Sequence, residues 1–101
     1  MRSTYAVVWR EGAGPLARGR LELLPSGIEL DGLADSSHVR REIAYDELAQ
    51  VRIGRSSADR LNGHPSLVIE RVDGEPIVLA SVALQGVVAE LAEHLAGRVA
   101  V

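Results

Sequence analysis

Arg10, Arg18 and Arg20 have the type and spacing to hold an anion. In an extended segment Arg18-Gly19-Arg20 sends two guanidinium groups to one face, and such planar forks bind carboxylate or phosphate through charge-assisted hydrogen bonds. A second set, Arg52, Arg55 and Arg60, flanks Ser56-Ser57, where side chains and loop amides could share an anion or a partner's acidic group. Carboxylates dilute both sets. Glu11 follows Arg10, Asp31 is expected opposite Arg20, and Asp59 sits inside the second set. The bland expectation for both is a solvated surface of exposed charges worth little to stability.

Catalytic chemistry is harder to assemble. Asp35-Ser36-Ser37-His38 has the residue types of a hydrolase triad, but triad geometry comes from the fold, not from adjacency. The strand–Gly-x-Ser-x-Gly–helix context of a nucleophile elbow is missing, so the stretch reads as a polar loop. His38, His64 and His94 lack the paired spacing of a metal site. Glu90 and Glu93 read as a solvated helix face. Gly12-Ala13-Gly14 is too short for a phosphate loop and lacks a following Lys-Ser/Thr. The expectation is a chain that is not an enzyme and uses no cofactor or metal.

Any such groups must be positioned by strands and one helix. Tyr5, Val7 and Trp9 alternate along a first strand, and Glu11 to Pro15 forms a loop. Leu21 and Leu23 alternate with Arg20 and Glu22 in a second strand, and Ile28 and Leu30 resume the period after Pro25-Ser26-Gly27. The period of two fixes the register: Leu23 opposite Ile28, Leu21 opposite Leu30, Arg20 opposite Asp31. Residues 32–40 read as a loop. Ile43 and Tyr45 mark a fourth strand ended by Asp46-Glu47, Val51 and Ile53 a fifth, Leu67 and Ile69 a sixth, Ile77 and Leu79 a seventh.

In the last hairpin, a two-residue Asp73-Gly74 turn would set Glu70 against Ile77. A three-residue loop ending on a left-handed Gly74 sets Ile69 against Ile77, Leu67 against Leu79 and Arg71 against Glu75, and is preferred. From residue 82 the period becomes helical. Leu84, Val87, Val88, Leu91 and Leu95 form one apolar stripe, with Ser81 as N-cap and Gly97 as stop, predicting a helix over roughly 82–97.

The 101 residues suffice for one hydrophobic core, expected to be a single domain over 1–101. Aromatics are only Tyr5, Trp9 and Tyr45, so that core is aliphatic. Zero cysteines exclude disulfides and Cys-based zinc sites. No apolar run approaches the roughly 20 residues that span a bilayer, and no secretory cleavage pattern is evident, so a cytoplasmic location is expected. A net charge of −3 opposes general nucleic-acid binding. All eleven basic residues are arginine and none is lysine, a bias that a GC-rich genome would produce without functional demand.

Seven strands followed by one helix, carried by Arg18-Gly19-Arg20-Leu21-Glu22-Leu23, Ile28-Glu29-Leu30, Ile43 to Leu48, Val51-Arg52-Ile53, Asp73-Gly74 and the terminal helix, resemble bacterial pleckstrin-homology-like and GRAM-like domains. The resemblance implies a mainly β fold, a seven-stranded bent sandwich or partly open barrel capped by the helix. It also implies a non-catalytic binding or adaptor module that recognises a protein or peptide through an edge strand and helix groove. Arg10 with Arg18-Gly19-Arg20 is similar to the basic motif of lipid-binding members, which implies an anionic head-group at a membrane surface. The acidic balance makes that association weak, and membrane binding is not expected. A further expectation is self-assembly, with the outward Val8, Val68 and Val78 burying against copies of the chain.

Overall fold

The computed structural model describes residues 4–54, 61, 66–81 and 87–97. Alternating aliphatic residues build seven strands: β1 (Thr4–Glu11), β2 (Ala17–Leu23), β3 (Gly27–Ala34), β4 (Ser37–Ala44), β5 (Leu48–Gly54), β6 (Ser66–Arg71) and β7 (Ile77–Ser81). A 3-10 turn, Tyr45–Glu47, joins β4 to β5, and one helix follows, α1 (Val87–Ala96). All strands pair antiparallel in one sheet of order β4-β3-β2-β1-β7-β6-β5. The first and last strands of the chain's β region therefore pair at the centre, Val8 opposite Ala80 and Trp9 opposite Leu79. Among the described residues the sheet is not closed, and β4 and β5 are its edges.

The expected registers hold, except that no ladder pair joins Arg71 to Glu75. Leu23 opposes Ile28, Leu21 opposes Leu30 and Arg20 opposes Asp31. Ile69 opposes Ile77 and Leu67 opposes Leu79, with Gly74 at φ 106°. The left-handed conformation at Gly74 is one an L side chain resists. The ladder stops at Ile69–Ile77. Pro76 has no N–H to extend it, and the Glu75 carbonyl instead accepts from Arg71 Nε at 2.8 Å.

Glu11, expected to open the loop after the first strand, is the last residue of β1, and two further expectations are corrected. Residues 32–40 are not a loop: β3 runs on to Ala34, β4 begins at Ser37, and only Asp35 and Ser36 turn the chain. Both have positive φ, 50° and 67°, the pattern of a hairpin turn whose twist matches that of its strands. The second concerns Tyr45, which lies not in the fourth strand but in the 3-10 turn. There its hydroxyl donates to the Leu24 carbonyl at 2.7 Å, and the Ala44 N–H donates to Glu47 Oε1 at 3.1 Å.

One face of the sheet holds the core. Val7, Trp9, Leu21, Ile28, Leu30, Ile43, Leu67, Ile69, Ile77 and Leu79 are buried there with Leu91 and Leu95 of α1, and Val88 and Ala92 pack against them. The helix stripe is thus directed inward where it is described. Residues 82–86, with Leu84, and the Val87 side chain lie outside the described set. Ser81, the expected N-cap, is the last residue of β7, opposite Val7.

On the other face Val8, Ala80 and Leu61 form a second buried cluster with Val78 packed on it, and Val68 is also buried. Val8 and Val68 are therefore covered within the chain and are closed to copies of it.

Candidate functional site

Strand alternation decides where the candidate arginines point. Val7 and Trp9 face the core, so Arg10 shares the opposite face with Val8. Arg18 pairs with Val8 and Arg20 with Ala6, which brings both onto that same outer face. Arg10 lies diagonal to Arg18 across the β1–β2 pair. All three arginines thus lie on the outer face. Of the second set, Arg52 projects from β5 with its Nε 3.9 Å from Glu70 Oε2, while Arg55 and Arg60 lie outside the described residues.

The three arginines of the first set are not equivalent. Arg20 Nη2 sits 3.9 Å from Asp31 Oδ2, and Asp31 also meets His38 Nε2 on β4. These groups border a shallow, open depression lined by Gly19, Arg20 and Asp31. The Arg10 and Arg18 side chains have no hydrogen bond or ion pair among the described residues. Arg40, by contrast, bonds Glu29 at 2.7 Å and Glu42 at 3.2 Å. His38 binds Asp31 rather than Asp35, so the tetrapeptide with triad residue types is split between a hairpin tip and a strand.

Glu11 behaves differently from its expected role. It leaves Arg10 and Arg18 alone and joins the core side of the sheet, accepting from Arg41 Nε at 3.0 Å and Arg71 Nη2 at 2.7 Å. β4 and β1 are separated by two strands, roughly 14 Å at about 4.8 Å per strand in a flat sheet. A contact uniting β4, β1 and the end of β6 therefore requires the sheet to curl, and Glu11 is the clasp across the curl. Sequence reading missed it because residues 11, 41 and 71 share no local pattern.

Partial burial pushes the Glu11 carboxyl up, but hydrogen bonds and charge from Arg41 and Arg71 more than reverse this, leaving it below its usual value. A carboxyl lowered in the folded state contributes stability above its unfolded pKa, lost as pH falls through the folded pKa. The Arg71 side chain is only 12% exposed, so removing its partner charge strands a desolvated cation. Glu11→Gln is expected to destabilise the protein by about 1–3 kcal/mol at neutral pH. Urea unfolding at a series of pH values should show the gap between variant and parent closing below about pH 4.5. A gap that is absent, or constant with pH, would show that the clasp is not electrostatic.

Among the described residues no three His, Asp or Glu side chains gather as a metal site. No described helix is long and apolar enough to cross a membrane. The described residues define a class: mainly β, with seven antiparallel strands in one curled, unclosed sheet and one C-terminal helix. No protein-family model, curated protein or solved structure matches the chain.

Proposed function

We propose that this chain is a non-catalytic recognition module, pleckstrin-homology-like in kind, that takes an extended peptide segment of a protein partner along the edge of β5. The single observation that carries the reading is the contrast between the two sheet edges. β4 carries His38, Arg40, Arg41 and Glu42 within eight residues, and charge of this density keeps an edge strand from pairing with other chains. β5, Leu48-Ala49-Gln50-Val51-Arg52-Ile53-Gly54, carries one charge and has no second strand neighbour among the described residues.

The helix adds a wall to that edge. α1 packs on β5 more than on any other strand. Val51 on β5 and Val88 and Ala92 on α1 touch the core yet remain partly uncovered. An added strand would gain main-chain hydrogen bonds from β5 and rest alternate side chains on this apolar strip. The order of elements, seven strands and then a helix, is the one the resemblance led us to expect. A cytoplasmic setting belongs to the same proposal.

The test is a peptide-display selection against the purified full chain, with bound peptides mapped by backbone amide shifts. Peptides that perturb residues 48–54 and 87–96 are expected. Selected peptides that map to Arg10, Arg18 and Arg20, or a selection that yields no binder, would overturn the reading.

A further inference from the structure

Five of the seven described arginines lie within 4 Å of a carboxylate: Arg20, Arg40, Arg41, Arg52 and Arg71. Arg10 and Arg18 are the exceptions, and they sit among exposed aliphatic groups. Leu33, 55% exposed, is the cross-strand neighbour of Arg18, and Leu16, 37% exposed, is two residues before it. The third large apolar side chain that the described surface exposes is Val72, 68% exposed at the β6–β7 tip. It is followed by Asp73 and, one residue beyond Gly74, by Glu75, both exposed and neither carboxylate bonded among the described residues. The surface therefore has an apolar–cationic half and an apolar–anionic half.

These halves flank one loop. The Gly12 N–H donates to the Pro76 carbonyl at 2.8 Å, which sets the β6–β7 tip against the β1–β2 loop. Arg10 and Leu16 stand at the two feet of that same loop. A region that holds both signs side by side is self-complementary under a two-fold axis, because each half meets its opposite twice. A site for an unrelated acidic partner would require only the cationic half.

We infer that the chain pairs with a second copy of itself around the β1–β2 loop, Arg10 and Arg18 of each protomer facing Asp73 and Glu75 of the other, with Leu33 and Val72 between them. The contact is small and charged, so the dimer is weak and dissolves in salt, unlike a large apolar interface. It is independent of the peptide-binding reading, since β5 takes no part.

Sedimentation of the full chain over a range of concentrations, at about 50 mM and about 500 mM salt, tests it. A monomer–dimer equilibrium weakened by salt is expected. Arg18→Glu and Asp73→Arg should each weaken the dimer by about tenfold or more, and the double variant should restore it, because the swapped charges meet again across the axis. All altered side chains are exposed, and circular dichroism checks that each variant is folded. A chain that stays monomeric at every concentration overturns the inference, as does a dimer indifferent to either variant. Failure of the double variant to recover overturns it too. Peptide binding at β5 that survives Arg18→Glu would keep the two proposals separate.

Discussion

Leu91→Ala is expected to lower the free energy of unfolding by about 2–5 kcal/mol. Leu91 is fully buried in the main core, where α1 packs on β5, β6 and β7. Truncation removes the transfer free energy of the lost methyl and methylene groups and leaves a cavity that a sheet on one side and a helix on the other can only partly collapse. A domain of this size holds only about 5–15 kcal/mol in total, so the variant is left with a small margin. Glu93→Ala, on the exposed side of the same helix, should stay within about 0.5 kcal/mol and reports on helix propensity alone. Denaturant titration of both variants is the measurement. A Leu91→Ala loss below about 1 kcal/mol would mean that the helix is peripheral to the stability of the sheet.

The second large effect is expected at a residue with no side chain. Gly19 faces Gly32 across the β2–β3 pair, and the two backbones approach so closely there that a Cβ on Gly19 would run into the Asp31 carbonyl oxygen. A Cβ on Gly32 would meet the Arg18 carbonyl in the same way. Backbone cannot swing aside as a side-chain tip can, so Gly19→Ala must push β2 from β3 one pair in from the Arg18–Leu33 end of the ladder. The expected loss is about 1–3 kcal/mol, the range for overfilling a packed site. Gly97→Ala is the contrast: the nearest atom to its Cβ, the His94 carbonyl oxygen, is 3.8 Å away. There the less flexible unfolded chain should leave stability unchanged or raised by up to about 1 kcal/mol. Thermal and urea unfolding of both glycine variants distinguish a steric role from a general glycine effect. Equal outcomes at the two sites would refute the steric account.

These two sites also mark what the sequence made legible. Leu91 belongs to a stripe that repeats every three or four residues, and the register of Leu23 with Ile28 or Ile69 with Ile77 follows from strict alternation of apolar side chains. β4 has no such signature. His38, Arg40 and Glu42 alternate with Val39 and Arg41, so polar groups occupy both faces of the strand, and its turn, Asp35-Ser36, reaches positive φ without a glycine. A segment stabilised at an edge by ion pairs rather than by burial looks like a loop until its neighbours are known.

The candidate site divides along the same line. That Arg18 and Arg20 share a face follows from spacing, and the pairing of Arg20 with Asp31 follows from register. That Arg10 and Arg18 stay unpaired while Glu11 is drawn to Arg41 and Arg71 follows from the curl of the sheet, which brings residues 30 and 60 positions away beside Glu11.

The pairing of β1 with β7 sets a constraint on how the chain acquires its structure during synthesis. β1 to β4 form a meander in which each strand pairs with the next in sequence, so its strand pairings need no residue beyond 44. Its fourth strand has a charged outer edge, but its first does not. The open side of β1, which later pairs with Ile77 to Ser81, stays unmatched until more than thirty further residues have been added. Domains fold from the N-terminal side at roughly 5–20 residues per second of synthesis, so this edge stays open for a few seconds. In that interval Val7, Val8 and Trp9 are presented on a strand with one unpaired edge, the arrangement that templates association between chains. The last strand is thus a seal on the first, and the interval before it arrives is when the nascent chain is most exposed to aggregation.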